Sequence, residues 1–458
     1  MKKLFILGLL LCLSLNSCQK DDAENSLNIE SNIKNGFDLV KAVNTGNEGA
    51  TILVPEGVFY INEPLTPKKG MIIKGSGIDK TIITNADVWN VGISNLPDDA
   101  VNGSSVNQMG YLINLGNQQK KIVISGLTLK APKLHGAICG FGCDELEVFN
   151  VKIEDVLWSG IRTYGMSDAK IHDNVFINAG GEYLGTTGGA IYTTWVGRTK
   201  FYNNRFERTA NSTRNFYGIK GREGKNCEIY QNTIKVDFSI EFPHDNDADM
   251  NIHHNYLTGT VSIPKYAGGE VPPSGSTFHI HHNYFSSTYS LEWSRRGVEI
   301  DHNLFNYDTN KDWGNLISCW TPYTDGSTKF HDNLIKNPGR GVFWSEEVYN
   351  GFQFYNNHVK TNTTITPRNE GLFGFNSSTN FSTIKIENNI IECTGISRPL
   401  MRNTQSYGST ISNNKLVNVS DTSSYGNTAT GATQGPITEV KFRCGVNNEF
   451  NVDGWNIQ

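Results

Sequence analysis

The chain has 458 residues, of which 37% are hydrophobic and 11% are aromatic, and it contains 46 glycines. Its formal net charge of −5 provides no basic surface of the kind that binds nucleic acid, so we expect no nucleic-acid partner. The length exceeds that of a typical domain, which leaves either several domains or one solenoid that grows by adding repeats.

The first 18 residues have the pattern of an export signal. Lys2 and Lys3 supply a positive start, and the apolar stretch 4–15 is too short to span a bilayer. The sequence Leu-Asn-Ser-Cys that ends at Cys18 resembles a bacterial lipobox, which implies that Cys18 becomes the lipidated first residue of the mature protein. The acidic pair that follows is similar to the surface-export signal of Bacteroidota lipoproteins.

These features predict a lipoprotein signal peptide at 1–18 and a lipid anchor at Cys18. Residues 19–35 are polar and rich in Asn, Ser and Glu, which predicts a flexible tether. We therefore expect a protein anchored by lipid in the outer membrane, on the cell surface or on the periplasmic side, with its folded domain at 36–458.

Three segments predict how that domain begins and ends. The stretch Phe-Asp-Leu-Val-Lys-Ala-Val at 37–43 has helical spacing, and a helix there would cap the open first coil of a solenoid. The segments 51–57 and 71–77 have the composition of short strands that end in turns, and they resemble the opening coils of pectate-lyase-like proteins. The last 40 residues lack the repeat described next, and we expect them to cover the far end.

A short phrase recurs from residue 171 onward, in the order apolar, any, polar, Asn, any, apolar. Its spacing ranges from 20 to 32 residues, and no amphipathic helix fits the gaps, so each repeat is expected to be one coil of strands. We expect the Asn side chains to stack at one buried turn and to hydrogen-bond from coil to coil. They are Asn174, Asn204, Asn232, Asn255, Asn283, Asn303, Asn333, Asn357, Asn389 and Asn414.

This pattern resembles the right-handed parallel β-helix of pectate-lyase-like proteins, over roughly residues 50–420. The expected fold is therefore all-β, a single right-handed parallel β-helix with an N-terminal helical cap. The resemblance implies a carbohydrate-active enzyme of the polysaccharide lyase or glycoside hydrolase type, although a fold does not fix an activity.

A second register predicts a row of side chains facing outward on one wall of the helix, here called the outward column. Side chains alternate along a strand, so the residue after an inward Ile, Leu or Val points outward. The column is charged in the middle and aromatic toward one end, which is typical of a saccharide-binding groove. Its predicted members are Arg162, Tyr192, Lys220, Glu241, Pro264, Glu292, Ser318, Phe343 and Phe373.

Two carboxylates in this column are candidate catalysts. Glu241 and Glu292 are two coils apart, which is about 9.5 Å at the usual strand spacing. Inverting glycosidases hold their carboxyls roughly 6.5–9.5 Å apart, so one Glu is a candidate acid and the other a candidate base. The alternative for each is an ion pair with a neighbouring cation. His244, just past the strand of Glu241, is a further candidate acid or base, with turn capping as its alternative.

Cationic residues surround Glu241 and indicate an acidic substrate. Lys220, Arg222 and Lys265 lie one coil away, where they would hold a uronate or a sulfate ester. β-Helix lyases commonly use Lys or Arg to neutralise a uronate and remove its C5 proton, so the resemblance also implies Lys220 as a lyase base. Simple pairing with Glu241 and Glu223 is the alternative. The predicted substrate-binding set is completed by Arg162, Tyr192, Trp293 and Arg295.

Four weaker motifs also suggest a functional role. Pro-His-Asp at 243–245 resembles part of the alginate epimerase motif Asp-Pro-His-Asp, but Phe242 replaces the first Asp. The carboxylates at 245–249 suit Ca²⁺ yet lack the Gly and the distal Glu of an EF-hand loop, so an acidic turn is expected. The histidines His279, His281 and His282 are expected to be decoration of the repeat. Cys139 and Cys143 are a candidate disulfide.

The favoured function is an exported, monomeric enzyme that cleaves an acidic polysaccharide as an inverting glycoside hydrolase. The first alternative is a polysaccharide lyase that acts by β-elimination on a uronate polymer. Further alternatives are a non-catalytic glycan-binding surface lipoprotein or adhesin, and a uronate epimerase. No cofactor is expected, and Ca²⁺ is the one candidate metal.

Overall fold

The computed structural model describes residues 28–29, 32–89, 110–183, 186–242, 247–263, 277–286, 291–293, 297–306, 315–319, 328–345, 348, 350–361, 371–376, 378–395, 397–401, 408–420, 441–446 and 448–451. Across these residues the chain is almost wholly β, in long sheets of parallel strands that stack coil upon coil. The predicted right-handed parallel β-helix is confirmed.

Two walls of the helix meet at the corner occupied by the repeated Asn residues, and together they form one 27-stranded parallel sheet. Strands Val123–Lys130 and Glu147–Glu154 run through both walls. The other strands before the corner are Asn28–Ile29, Thr51–Val54, Ile72–Gly75, Lys170–His172, Lys200–Tyr202, Glu228–Tyr230, Met250–His253, Phe278–His281, Val298–Asp301, Thr328–His331, Phe352–Tyr355, Lys385–Glu387 and Thr410–Ser412. Those after it are Gly57–Ile61, Thr81–Asn85, Val175–Ile177, Arg205–Glu207, Thr233–Lys235, Tyr256–Leu257, Tyr284–Phe285, Leu304–Asn306, Leu334–Lys336, His358–Thr361, Ile390–Cys393 and Lys415–Val417.

An 11-stranded parallel sheet forms a further wall, here called the column wall. Its strands are Tyr111–Asn117, Gly136–Phe141, Ser159–Ser167, Gly189–Gly197, Tyr217–Arg222, Phe238–Glu241, Thr260–Ile263, Leu291–Trp293, Ile317–Cys319, Phe343–Ser345 and Phe373–Gly374. Three two-stranded sheets pair Glu182–Tyr183 with Thr186–Thr187, Arg398–Pro399 with Val419–Ser420, and Lys441–Cys444 with Asn448–Asn451.

The N-terminal cap is the α-helix Gly36–Thr45, as predicted. The side chain of Asn35 accepts a hydrogen bond from the backbone N–H of Asp38 at 3.0 Å, which satisfies one of the free donors at the helix start. Upstream, Asn28–Ile29 pairs with the strand Thr51–Val54, so the segment predicted as a tether contributes a strand to the folded end. The helix buries Leu39, Val40 and Val43.

One further short helix, the 3₁₀ turn Phe381–Thr383, lies late in the chain. Among the described residues, no helix has both the length and the apolar character that crossing a bilayer requires.

The predicted Asn column is confirmed and forms a continuous ladder, here called the Asn ladder. From Asn174 to Asn414, each Nδ2 donates to the Oδ1 of the Asn in the next coil at 2.9–3.2 Å. Each ladder side chain is at most 1% exposed. The ladder therefore satisfies buried backbone groups at a corner where strand pairing is interrupted.

The residue before each ladder Asn is polar for a different physical reason. All ten of these residues have φ between +52° and +57°, in the left-handed region that Asn, Asp and His tolerate better than most side chains. The chain thus turns the corner on a polar residue, and the buried Asn that follows supports the turn from inside. They are Asp173, Asn203, Gln231, His254, His282, His302, Asp332, Asn356, Asn388 and Asn413.

The C-terminal hairpin contacts the middle of the helix. The backbone N–H of Gly445 donates to the carbonyl of His254 at 2.6 Å, and that of Val446 donates to the Thr233 hydroxyl at 2.8 Å. The expectation that the last residues cover the far end is wrong for this described part. Lack of the repeat showed that the segment leaves the solenoid, but it carried no information about where the segment returns.

Candidate active site

Strand pairing on the column wall aligns six of the predicted members in one column, and three others are corrected. The six are Arg162, Tyr192, Lys220, Glu241, Glu292 and Ser318. Ser262 stands between Glu241 and Glu292, whereas Pro264 lies outside the described residues. The observed column runs through Asn114, Cys139, Arg162, Tyr192, Lys220, Glu241, Ser262, Glu292, Ser318, Trp344 and Gly374.

The other two corrections are shifts by one residue. Trp344 and Gly374 occupy the column positions assigned to Phe343 and Phe373, and both phenylalanines are buried inward. Each follows another buried apolar residue, Val342 or Leu372, so the alternation along these strands gave no unique face.

The centre of the column is a cluster of three side chains, here called the site cluster. The Lys220 ammonium lies 3.5 Å from a Glu241 carboxylate oxygen, and these side chains are only 10% and 12% exposed. Tyr217 completes the cluster, because the Lys220 nitrogen lies 4.3 Å from the centre of its ring. Lys220 also donates to the carbonyl of Thr187 at 3.3 Å, which ties the site cluster to the hairpin beside it.

Burial and charge perturb two members of the site cluster. Burial lowers the pKa of the Lys220 ammonium, an effect that the Glu241 carboxylate opposes and the neighbouring Arg222 reinforces. Burial also raises the pKa of the Tyr217 hydroxyl far above its usual range, and the negative charge of Glu241 adds to this shift. Tyr217 therefore keeps its proton at neutral pH and acts as a donor.

Glu292 is the second carboxylate of the column. Its Oε2 accepts a hydrogen bond from the Ser262 hydroxyl at 3.2 Å, and Ser262 pairs with both Glu241 and Glu292 on the adjacent strands. Two strand spacings separate the glutamates, which places their backbones about 9.5 Å apart. The arrangement thus brings two carboxylate side chains to one column, with a single strand between them.

Arg162 and Tyr192 lie in the column, in the two coils that precede Lys220, but both side chains are buried. Arg162 is 0% exposed, its guanidinium lies 4.2 Å from the centre of the Tyr192 ring, and it donates to the Thr163 carbonyl at 2.6 Å. Tyr192 packs against Trp158 with ring centres 5.7 Å apart. The predicted contact of Arg162 and Tyr192 with substrate is therefore not supported, because both form part of the packing that supports Lys220.

The remaining predicted residues are distributed as follows. Arg222 ends the strand Tyr217–Arg222 and pairs with Thr194, close enough to influence Lys220. Trp293 ends the strand Leu291–Trp293, where its backbone pairs with Ile263. His244, Lys265, Arg295 and Cys18 lie outside the described residues, so their roles stay predictions.

The described residues show neither a metal site at the acidic turn nor a disulfide between the two candidate cysteines. Asp247 accepts a hydrogen bond from the backbone N–H of Gly224 at 2.5 Å, and Asp249 accepts one from Thr277 at 3.3 Å. Nowhere in the described part do three or more His, Cys, Asp or Glu side chains form a group suited to a metal ion. Cys139 and Cys143 are free buried thiols.

The sequence interpretation missed Tyr217. The residue stands at the start of its strand, outside the alternation that defined the column. A usable signal was present, because Tyr217 pairs with Phe238 in the next coil and their rings stack with centres 4.8 Å apart. Two aromatics at one position of neighbouring coils, each three residues before a charged column member, indicate a shared surface.

The chain matches no protein-family model and no curated protein sequence. Among solved structures, it is similar to a mutant tailspike protein of E. coli bacteriophage HK620 in complex with a pentasaccharide, with 12% identity over 82% of this chain and 74% of that chain and a TM-score of 0.52.

Two further structures are similar at lower TM-scores. The catalytic unit of an α-1,3-glucanase of Streptomyces thermodiastaticus is 12% identical over 75% of this chain, with a TM-score of 0.47, and this chain spans 65% of its length. The A-module of a mannuronan C-5 epimerase of Azotobacter vinelandii is 11% identical over 74% of this chain and 92% of that chain, with a TM-score of 0.47. At 12% identity, the likeness to the tailspike structure shows the parallel β-helix fold alone.

Proposed function

We propose that this protein is an enzyme that cleaves an acidic polysaccharide by hydrolysis along the column wall. The observation that carries the proposal is the pair Glu241 and Glu292, which stand in one column with Ser262 between them. Their separation of about 9.5 Å at the backbone suits the two-carboxyl geometry of inverting glycosidases. The similar tailspike structure holds a pentasaccharide, which agrees with a saccharide as substrate.

The chemistry needs one carboxylate as a base and one carboxylic acid as a proton donor. The base takes a proton from a water whose oxygen forms the new bond to the anomeric carbon. The acid gives its proton to the glycosidic oxygen as the bond to the leaving sugar breaks. Glu241 and Glu292 stand on the strands either side of Ser262, and the proposal places this water between their carboxyl groups.

An acidic substrate is supported by the cations beside the carboxylates. Lys220 lies 3.5 Å from Glu241, and Arg222 is close enough to lower the pKa of the Lys220 ammonium. A sugar carboxylate or sulfate would gain charge-assisted hydrogen bonds from these two side chains. The polymer class we propose is therefore a uronate or sulfated polysaccharide.

The second candidate is β-elimination, and the low pKa of Lys220 favours it. A buried amine that loses its proton more readily can remove the C5 proton of a uronate, after which the C4–O bond breaks and a C4–C5 double bond forms. Tyr217, which keeps its proton, lies beside Lys220 as a donor for the leaving oxygen. The two reactions give products that absorb differently.

We further propose that the enzyme is exported and lipid-anchored through Cys18. The support is the sequence of residues 1–18 and the acidic pair that follows it. An enzyme held at the outer membrane would meet polymers that are too large to enter the cell.

The test is a screen of plant and algal acidic polysaccharides with the purified chain. New reducing ends without a rise in absorbance at about 235 nm support hydrolysis, and a rise at that wavelength means elimination. If hydrolysis is found, Glu241→Gln and Glu292→Gln should each lower the rate by about 10²–10⁴-fold while substrate binding persists. Binding without any cleavage would leave a glycan-binding protein and overturn the proposal.

A further inference from the structure

Trp195 is an exposed aromatic side chain at a backbone position that suits glycine. Its φ is +54°, in the left-handed region where a bulky side chain is costly. The same position of the two preceding coils holds Gly142 and Gly165, with φ of +68° and +66°. The Trp195 side chain is 43% exposed, so burial of its ring offsets only part of that cost. A strained, bulky residue that stays exposed indicates a role for its ring at the surface.

A series of contacts links Trp195 to the site cluster. The Trp195 and Tyr164 rings have centres 5.8 Å apart, and the Arg162 guanidinium lies 3.9 Å from the centre of the Tyr164 ring. Arg162 also contacts the Tyr192 ring, whose centre is 5.2 Å from the Lys220 ammonium. The three intermediate side chains are at most 2% exposed. They therefore form a packed layer that fixes the position of the Trp195 ring relative to Lys220.

Phe238 supplies a second exposed ring on the column wall. Its side chain is 36% exposed, and its ring stacks on that of Tyr217 with centres 4.8 Å apart at an angle of 29°. The Tyr217 ring in turn contacts the Lys220 ammonium at 4.3 Å. The site cluster is thus linked by ring contacts to Trp195 in one direction and to Phe238 in the other.

The two exposed rings lie on opposite sides of the outward column. Trp195 comes three residues after the column member Tyr192 on the same strand. Phe238 comes three residues before the column member Glu241, whose strand is two coils further on. The two backbones are therefore about 20 Å apart along the strands and about 9.5 Å apart across them. A line between them crosses the column obliquely, at the coil of Lys220.

We propose that Trp195 and Phe238 are stacking platforms for two sugar rings of one acidic polysaccharide chain, which lies obliquely across the column wall and over the site cluster. The inference rests on the proposed function for the chemistry of the ligand. Each aromatic face would bury the apolar C–H face of a sugar ring. A single sugar cannot reach both rings, so the ligand is a chain.

The charges between the platforms favour an acidic chain. Lys220 lies in the coil between the two rings, and Arg222 pairs through its backbone with Thr194, the residue before Trp195. Both cations could form charge-assisted hydrogen bonds with the carboxylate or sulfate groups of sugars placed between the two platforms.

Affinity electrophoresis tests the platforms in native gels, run in the cold, that contain alginate, polygalacturonate or carrageenan. Trp195→Gly removes one ring and suits the backbone, since glycine occupies this position in the two preceding coils. Phe238→Ala removes the other ring. On the polymer that the wild type binds, we expect each variant to raise the dissociation constant by about threefold to tenfold, and Trp195→Phe to stay within about twofold.

The double variant and a matched control sharpen the test. The two platforms are too far apart to touch, so their factors should multiply in the double variant. Tyr60→Ala is the control, because Tyr60 is a 64% exposed aromatic on the strand Gly57–Ile61 of a different wall. It should leave the dissociation constant unchanged, and equal weakening by Tyr60→Ala would overturn the assignment of the platforms.

The outcomes separate this inference from the proposed function. If the wild type cleaves a polymer that both platform variants bind as tightly as it does, the platforms are refuted and the hydrolytic function stands. If the platform variants bind more weakly but the wild type cleaves no polymer, the platforms are supported and the hydrolytic function is rejected. Failure of the wild type to bind any of the three polymers would overturn the inference.

Discussion

Replacement of one Asn in the middle of the Asn ladder should destabilise the whole helix. Asn283 is 0% exposed, and its Oδ1 accepts from both the backbone N–H and the Nδ2 of Asn255 at 2.9 Å. Its Nδ2 donates to the carbonyls of Ile252 and His281 at 2.9 Å and to Asn303 at 3.0 Å. The substitution Asn283→Ala removes all five hydrogen bonds at once.

The expected loss in the free energy of unfolding follows from the buried polar groups that Asn283→Ala leaves without their partner. The buried N–H of Asn255 loses its acceptor, which costs about 1–3 kcal/mol, and each other lost bond costs about 0.5–1.5 kcal/mol. These contributions share partners and do not add fully, so we expect the free energy of unfolding to fall by about 3–5 kcal/mol. Such a loss would be large for a single substitution.

Urea denaturation followed by circular dichroism measures this difference. The matched control is Asn380→Ala, an exposed Asn that caps a 3₁₀ turn by accepting from the Ser382 N–H at 3.2 Å, and it should cost about 1 kcal/mol. If Asn283→Ala lowers the free energy of unfolding no more than Asn380→Ala does, the hydrogen bonds of the Asn ladder do not stabilise the fold and the reasoning is wrong.

Two other predictions concern acid stability and export. Burial first, then neighbouring histidines, lower the pKa of His253 to about 4 and that of His281 to about 3. The folded state therefore binds fewer protons than the unfolded state below about pH 6.5, so the free energy of unfolding falls as the pH drops from about 6.5 toward about 3. Phe at both positions keeps the ring stack and should flatten the melting temperature across this range, whereas a parallel decline would exclude these histidines as the cause. Cys18→Ala should move the protein from the membrane fraction to the soluble fraction, and unchanged fractionation would exclude Cys18 as the anchor.

The repeated phrase predicted most of the fold because its period and its buried Asn have direct physical meaning. Each coil must bury apolar residues on both sides of a corner. It must also supply hydrogen-bond partners for the buried backbone groups at that corner, and one Asn side chain supplies them. The helix Gly36–Thr45 was predictable because an open first coil needs a cover. The sequence showed only that the residue before each Asn is polar. The backbone angles explain this preference, because each of these residues lies in the left-handed region of φ and ψ.

The site was predictable only in part. Alternation identified Lys220, Glu241 and Glu292 as neighbours on one face, since each follows an apolar residue whose inward direction is clear. It failed at Phe343 and Phe373, where two consecutive apolar residues are both buried. It also could not show that Arg162 and Tyr192 are buried, because burial there depends on side chains from other strands and not on the strand's own pattern.

The most direct test of the central claim is a proton NMR spectrum of the first products that the wild-type chain releases from its polysaccharide. If Glu241 and Glu292, whose backbones stand about 9.5 Å apart, act as base and acid with a water between their carboxyl groups, the products have an anomeric configuration inverted relative to the substrate. Retention of configuration would contradict the assignment of Glu241 and Glu292 as base and acid. A vinyl proton signal from an unsaturated uronate would contradict hydrolysis itself and would make Lys220 the base of a lyase.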